Sequence, residues 1–465
     1  MDQCVEMISQ YSGRIESLCA LKHANIAIPI MNSSQPFDRR QFLKTGASAS
    51  GALILGTQAG LSQATKGNSA TLKLGLIGCG GRGSGAAVQA LKADSAVTLH
   101  AMGDAFSDSL ERSHKNLGAA VGEHRLDVPN ERRFVGLDAF QKVLESGVDV
   151  VILATPPGFR PQHLTAAVNA GKHVFCEKPM AVDAPGVRMA LEAVKKAKEK
   201  NLALVAGFCW RYSPSRRAAF EQIKQGAIGD VISVTGTYYA GPVKPMPDES
   251  TRDPKWGDVE WQVRNWYNFG WLSGDSLVEQ AVHSVDKIAW AMGDIAPVAV
   301  IGTGGRQVPA KGGNIFDHFH AIYEYANGVQ AHIASRQIAG CPSDNADWIV
   351  GTKGRLIIGK GGHPYAEDYK GGKIWRHRGD DPDMYQVEHD ELFASIRAGK
   401  PLNDGERMMS STMLAIMARM AAYTGQRITW DQAMNSQEDL APDTLKFDDK
   451  FEPHPLARPG ITKFV

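Results

Sequence analysis

Residues 278–290 carry acid and base side chains at the spacing of one helix face. Glu279 and His283 are four residues apart, and Asp286 follows three residues later; side chains at these spacings project together. A histidine titrates near neutral pH and can take or give a proton during a reaction. The stretch therefore predicts an acid–base site. The alternative is a satisfied structural histidine on a half-buried helix. The apolar stripe of that helix would be Val278, Val282, Val285, Ile288 and Ala289.

A glycine-rich turn follows the apolar run 72–77, which predicts a buried strand. The residues after it have the spacing GxGxxG and lead into a helical pattern. Such glycines allow a tight turn, close approach to a pyrophosphate and close packing of helix on strand. The free N–H groups at the start of the helix attract phosphate. We therefore expect dinucleotide contacts from Gly78, Gly80, Gly81, Arg82 and Gly83.

An acidic residue, Asp104, ends the next predicted strand, 21 residues after Gly83. A carboxylate there can accept hydrogen bonds from a ribose 2′-hydroxyl and would repel a 2′-phosphate. Ala105 and Phe106 follow, without an adjacent arginine. The sequence favours NAD over NADP as cofactor. The alternative for Asp104 is a helix-capping role.

The order of predicted elements changes near residue 207. Before it, apolar strands alternate with helical patterns, which predicts an α/β domain with a doubly wound parallel sheet, the Rossmann arrangement, over residues 71–206. After it, strands joined by turn signals such as Asn327-Gly328 predict an α+β domain with a largely antiparallel open sheet over residues 207–430. Residues 431–465 form a proline-rich tail.

Three further motifs occur in order along the chain: ATPP at 154–157, AGKHVFCEKP at 170–179 and GFCWRY at 207–212. Together with the GxGxxG turn, they resemble the glucose–fructose oxidoreductase / inositol dehydrogenase / rhizopine catabolism (Gfo/Idh/MocA) oxidoreductase family. The resemblance runs from about residue 71 to 430, most of the chain after residue 64.

The resemblance implies roles for individual residues. Lys178 matches the lysine that lies between nicotinamide and substrate in that family, and His283 matches its acid–base histidine. Glu279 stands where the family has Asp, and its extra methylene favours an orienting or assisting role. The matching motifs imply further cofactor contacts from Thr155, Pro156, Glu177, Lys178, Trp210 and Arg211.

An insert at residues 240–273 contains four tryptophans at five-residue intervals. This spacing fits neither a helix face nor strand alternation, so we expect an irregular lid. Its aromatic rings could stack on sugar rings, with plain packing or a subunit contact as the alternatives. Candidate contacts for a polyhydroxy substrate are Arg264, Asp286, His318, Arg336 and Gln337.

The bulk composition is that of a globular protein. Of 465 residues, 43% are hydrophobic and 22% charged, and the formal net charge is +1. The charge gives no electrostatic basis for binding nucleic acid or an anionic membrane. No span after residue 65 is long and apolar enough to cross a membrane. The six cysteines lack CxxC pairs and zinc-finger spacing. We expect buried thiols and no metal site.

Residues 38–46, DRRQFLKTG, precede a short glycine- and alanine-rich apolar run. Paired arginines in this setting resemble a twin-arginine signal peptide, with a small-x-small cleavage pattern at 62–64. We expect residues 1–64 to be an extension plus this signal, with Met1 and Met31 both open as the start. The chain would be exported folded by the twin-arginine machinery to the periplasm or another extracytoplasmic compartment. Free NAD is scarce there, so we expect a tightly bound cofactor. We also expect a homo-oligomer, dimer or tetramer.

Three functions are compatible with these features. The favoured one is an NAD(P)-dependent oxidoreductase that transfers hydride between nicotinamide and a hydroxyl of a sugar, polyol or sugar derivative. The second is an NAD-dependent redox-neutral glycoside hydrolase on the same fold. The third is a catalytically silent ligand-binding protein, which the presence of Lys178 and His283 disfavours.

Overall fold

A computed structural model describes residues 70–308, 311–360, 362–442 and 445–465. The predicted extension and signal peptide, 1–64, lie outside these residues. The described chain contains two sheets. Its first sheet has six parallel strands in the order β3-β2-β1-β4-β5-β6. These strands are β1 Leu72–Ile77, β2 Val97–Asp104, β3 Arg133–Val135, β4 Val150–Leu153, β5 His173–Cys176 and β6 Leu204–Ala206.

Helices cover both faces of this sheet, and its strands other than the edge strand β3 are therefore largely buried, with apolar side chains on both sides. They are α1 Gly81–Ala93, α2 Ser107–Val121, α3 Ala139–Glu145, α4 Arg160–Asn169 and α5 Ala184–Glu199. The strand order is that of dinucleotide-binding folds, in which ligands lie at the carboxyl ends of the strands where the order reverses, here between β1 and β4. The predicted Rossmann sheet is confirmed.

The second sheet has nine strands in the order β14-β13-β12-β11-β7-β10-β9-β8-β15. Every pairing is antiparallel except that of β7 with β10, so the prediction of a largely antiparallel sheet is also confirmed. The strands are β7 Val231–Ala240, β8 Ala299–Gly305, β9 His318–Glu324, β10 Gln330–Gln337, β11 Asp347–Gly351, β12 Gly354–Ile358, β13 Tyr365–Asp368, β14 Lys373–Arg376 and β15 Ile428–Thr429.

The remaining helices lie around this sheet and at its junction with the first. They are α6 Pro214–Lys224, α7 Asp258–Arg264, α8 Gly270–Ser273, α9 Val282–Ala291, α10 Met384–Arg397, α11 Gly405–Thr424 and α12 Trp430–Asn435. Helix α11 packs on α5, α9 and β8 and so joins the two sheets. No helix among the described residues is long and apolar enough to cross a membrane.

The chain after the second sheet returns to the first. Helix α10 packs on α1, and Leu204 of β6 pairs with residues 402–403 by a backbone hydrogen bond of 2.9 Å and an isolated bridge.

The four cysteines in the described ranges are free thiols, and three of them are buried. No group of three or more His, Cys, Asp or Glu side chains in those ranges is placed to hold a metal ion.

Candidate active site

The glycine-rich turn lines a cavity of about 430 Å³ at the carboxyl ends of β1, β2 and β4. Gly78 has a φ of +95°, which L side chains rarely adopt. A Cβ on Gly83 would lie 1.9 Å from the Gly78 carbonyl oxygen, so only glycine lets α1 pack this closely. Apart from the turn and the α1 backbone, no atom of the described residues lies within 4 Å of the Cβ position at Gly80 or Gly81, and the start of α1 is therefore open to a phosphate. The turn fits a dinucleotide.

Asp104 lines the same cavity. Its carboxylate accepts backbone hydrogen bonds from Cys79 (2.6 Å) and Phe106 (2.9 Å), which join the turn to the end of β2. Burial raises the pKa of Asp104, and these two bonds lower it. An ionised carboxylate has about four acceptor positions, so two remain for the hydroxyls of a ribose.

Changing Asp104 to Ser should weaken NAD binding relative to NADP by about 1–3 kcal/mol, because a charge-assisted hydrogen bond is lost and the repulsion of a 2′-phosphate is removed. Fluorescence titration of the variant with NADH and NADPH measures this. The control is Asp138→Ser, which changes an exposed carboxylate that does not line the cavity. An unchanged NADH-to-NADPH preference in Asp104→Ser would remove Asp104 from the cofactor site.

Thr155 and Pro156 also line the cavity, whereas Arg82, Gly83, Glu177, Trp210 and Arg211 do not. Arg82 and Glu177 form an ion pair with 2.7 Å between Nε and Oε1. This pair links the glycine turn to the end of β5, and Glu177 directly precedes Lys178 in the chain.

Lys178 and Glu279 form a buried ion pair. The Lys178 ammonium donates to Glu279 Oε1 over 2.8 Å and also to the Glu279 carbonyl oxygen. The second carboxylate oxygen accepts from Gln280 Nε2 at 2.7 Å, and Gln280 accepts from the Tyr238 hydroxyl at 2.8 Å. An ammonium has three N–H donors, so Lys178 retains one for a substrate oxygen.

Glu279 does not lie in a regular α-helix. Residues Leu277–Ala281 form a π-helical turn, and α9 begins at Val282; such turns are rare and often occur at functional sites. Asp275 fixes the turn. Its φ is +92°, its carbonyl accepts from the Glu279 N–H at 2.8 Å, and its buried carboxylate accepts from the Phe316 N–H and the Tyr423 hydroxyl. Burial raises the pKa of Asp275 to about 6.

His283 is partly exposed and stacks on Trp210, with 5.4 Å between ring centroids. Its Nδ1 is buried and has no hydrogen-bond partner among the described residues. Burial lowers the pKa of His283 well below its usual value, and the positive charges of Lys178, Lys287, Arg82 and Arg216 lower it further. The imidazole is therefore neutral at pH 7 and can accept a proton, in a surrounding that favours negative charge on a nearby oxygen.

The charged side chains of α9 are held by internal ion pairs. Asp286 accepts from Arg211 (2.9 Å) and from Ser411 (2.7 Å), and all of these groups are buried. Lys287 pairs with buried Asp347, and its ammonium lies 3.7 Å from the centre of the Trp210 ring. Burial lowers the pKa of Lys287 to about 8.

Arg211 and Asp286 were both predicted as contacts of a ligand. Arg211 was expected at the cofactor and Asp286 at the substrate, yet their charged groups bind each other, and Arg211 also binds Asp294. Both side chains are almost inaccessible to solvent. We assign them to positioning α9 against the GFCWRY segment.

The remaining substrate candidates are dispersed. Gln337 is buried and accepts from the Tyr267 hydroxyl at 2.8 Å, and its Nε2 has no acceptor among the residues that the structure describes. Arg336 donates to the Pro342 carbonyl oxygen, and His318 pairs with Asp317. Arg264, also predicted as a substrate contact, lines the dinucleotide cavity.

Two residues, Lys244 and Glu388, were not predicted from the sequence. Lys244 lines the cavity from within the insert. Glu388 on α10 is fully buried, and neither of its carboxyl oxygens has a hydrogen-bond partner among the described residues. Burial raises the pKa of Glu388 well above its usual value, and the nearby charge of Glu177 adds to this. A single acidic residue on an amphipathic helix is normally solvated, so the burial of Glu388 becomes visible only when α10 packs on α1.

Two sequence models of one family match consecutive parts of the chain. The model of the oxidoreductase family with an NAD-binding Rossmann fold matches residues 72–208, and that of the GFO/IDH/MocA C-terminal domain matches residues 217–357. Together they span more than half of the chain. The chain belongs to the Gfo/Idh/MocA oxidoreductase family. It is accordingly an NAD-dependent oxidoreductase.

Two named dehydrogenases that are similar in sequence are consistent with this family assignment. Inositol 2-dehydrogenase of Rhizobium meliloti is 28% identical over 288 residues, which cover 62% of this chain and 75% of that protein. Levoglucosan dehydrogenase of Pseudarthrobacter phenanthrenivorans is 26% identical over 231 residues, covering 45% of this chain and 55% of that protein.

Two solved structures share the fold. Levoglucosan dehydrogenase in complex with NADH and levoglucosan superposes with a TM-score of 0.62 at 18% identity, over 77% of this chain and 99% of that one. Aldose–aldose oxidoreductase from Caulobacter crescentus in complex with glycerol gives a TM-score of 0.60 at 19% identity, over 77% and 99%.

Proposed function

We propose that this family member oxidises a secondary hydroxyl of a sugar, polyol or sugar derivative, with His283 as general base. The observation that supports the assignment is the contrast along one helix. Asp286 and Lys287 are held in buried ion pairs, while His283 Nδ1 has no hydrogen-bond partner in the described part of the chain and the pKa of this imidazole is lowered. The substrate class follows the names of the relatives, an inositol dehydrogenase and a levoglucosan dehydrogenase.

A nicotinamide cofactor held by the glycine-rich turn and Asp104 would supply the hydride acceptor for the carbinol carbon. The chain supplies the rest. His283 takes the hydroxyl proton, and the remaining N–H of Lys178 donates to the same oxygen and stabilises its developing negative charge. Glu279 orients Lys178 through the buried ion pair, and Gln280 and Tyr238 in turn fix Glu279. The ring of Trp210 holds His283 in place.

Single-turnover absorbance at the reduced-nicotinamide band tests this function, with inositols, anhydrosugars and aryl glycosides as candidate substrates. A reduced signal that persists after one turnover is expected for net oxidation. A signal that rises and decays while the aglycone is released would contradict the proposal and indicate redox-neutral glycoside cleavage, which the comparisons do not favour.

We also propose that the chain is exported in folded form by the twin-arginine route, on the basis of residues 38–64. Changing Arg39 and Arg40 together to Lys should leave folded protein in the cytoplasm, because a receptor reads the arginine pair and not only its charge. Cell fractionation followed by an NADH-binding assay measures this. The matched control is Arg378→Lys, an exposed arginine outside the motif. Efficient export of the Lys-Lys variant would contradict this route.

A further inference from the structure

The dinucleotide cavity has a wall that does not come from the Rossmann sheet. Four of its lining residues, Lys244, Val263, Arg264 and Trp266, belong to the insert 240–273. They lie with Asp104, Phe106 and Asp108, at the end of the cavity where a ribose hydroxyl would meet Asp104. The insert therefore borders the adenosine end of the site, a position that the sequence alternatives of sugar stacking, plain packing or a subunit contact did not include.

Arg264 connects the insert to the Rossmann domain. On the Rossmann side its guanidinium lies 3.9 Å from the centre of the Phe106 ring and 3.5 Å from the Asp108 carboxylate. On the insert side it lies 4.6 Å from the centre of the Trp256 ring and 2.9 Å from Glu260. Two carboxylates and two aromatic faces hold one cation, which suits a planar, always-charged side chain.

Arg264 is fixed from a second direction as well. The Lys244 ammonium donates to the Arg264 carbonyl oxygen, and the Lys244 carbonyl oxygen accepts from Asn268 Nδ2 at 3.1 Å. Burial lowers the pKa of Lys244. The two cations at the wall also complement the negative charge of a pyrophosphate.

The tail segment 445–456 supports the insert from outside. Its backbone carbonyl at Phe451 accepts from Gln262 Nε2 at 2.7 Å, and the Phe451 ring packs edge-on against Trp271, with 5.7 Å between centroids. The Phe447 ring stacks on Phe106 at 5.4 Å. Phe106 thus contacts Arg264 and the tail together. The insert and the tail contribute to one apolar cluster with Phe159 of the Rossmann domain.

We propose that the insert, supported by tail segment 445–456, is a cover over the adenosine end of the cofactor site, and that Arg264 is the residue that holds it closed. A cofactor leaving on this side must first break the contacts of Arg264 with Phe106 and Asp108. The cover therefore slows cofactor release and keeps the cofactor bound between turnovers. This inference rests on the proposed function, because it requires a bound nicotinamide cofactor. It adds that the enzyme retains this cofactor between turnovers.

The rate of NADH release tests the cover directly. Full-length protein loaded with NADH is mixed with excess NAD⁺ in a stopped-flow fluorimeter, and the loss of bound-NADH fluorescence gives the rate. Arg264→Ala should accelerate release by at least about tenfold, since a cation held between two rings and two carboxylates is removed. Arg264→Lys should recover only part of the effect, because an ammonium lacks the planar fork. Phe447→Ala, which leaves Arg264 in place, should accelerate release in the same direction.

The matched control is Arg427→Ala, which removes an arginine paired with Glu324 on the second sheet and should leave release unchanged. Release at the wild-type rate in both Arg264→Ala and Phe447→Ala would overturn the cover. Persistent substrate oxidation by those variants would show that the proposed function stands nonetheless. If the wild type binds no NADH, the cofactor assignment fails and the cover fails with it.

Discussion

Replacing His283 by Ala should lower kcat by about 10²- to 10⁴-fold, the usual contribution of a positioned general base. NADH affinity should stay close to that of the wild type, because the cavity is lined by the Rossmann domain and the insert and not by α9. His283→Gln keeps most of the side-chain volume against Trp210 and should be equally slow. The control is His332→Ala, whose imidazole stacks on His320 within the second sheet. Wild-type turnover by His283→Ala on a true substrate would make the histidine structural.

The pH dependence gives a separate check on His283. Its pKa is lowered by burial first and by Lys178 second, so the neutral base persists at and above pH 6.5. The value of kcat/KM should therefore not fall between pH 8 and 6.5, and it should decline only at lower pH as the ring becomes protonated. A wild-type acid limb centred at or above pH 6.5 would contradict His283 as the base. Lys178→Met removes one cation and should shift the acid limb to higher pH.

Local sequence patterns were sufficient to predict the strands and turns that surround the cavity. GxGxxG between an apolar strand and a helix predicted the turn that lines the cavity, and Asp104 lies at the end of β2 as expected. The Asn327-Gly328 hairpin is present, with Gly328 at a φ of +84° between β9 and β10. These features depend on neighbours in sequence, so periodicity and turn chemistry reveal them.

Contacts between residues that are far apart in the chain could not be predicted from the sequence. Asp286 has the spacing of a site residue, but its partner Arg211 is 75 positions away and becomes visible only when α9 packs on the GFCWRY segment. The insert was expected to be irregular, and in the structure it contains α7 and α8. Its orientation is set by tail contacts such as Gln262 with Phe451, which are 189 positions apart. Spacing identifies a polar side chain, but tertiary packing decides whether it faces a ligand or a counter-ion.

Replacing Lys178 by Met should be costly for stability as well as for rate. Lys178 and Glu279 are only 8% and 5% exposed, so the substitution leaves a buried carboxylate without its cation. The expected loss in free energy of unfolding is about 3–5 kcal/mol. Chemical denaturation measures this. Lys142→Met is the matched control, since Lys142 also lies 2.8 Å from a carboxylate, Asp138, but both side chains are about half exposed. Its cost should be at most about 1 kcal/mol.

The double variant Lys178→Met/Glu279→Gln separates the two roles of Lys178. It removes both buried charges, so it should be more stable than Lys178→Met alone, because no uncompensated carboxylate remains. It should nevertheless stay as slow as Lys178→Met, since the N–H that would stabilise a substrate oxygen is still missing. Destabilisation equal to the sum of the two single changes would show that the ion pair is not coupled. Recovery of turnover together with stability would show that Lys178 acts only by holding Glu279 and the π-helical turn in place.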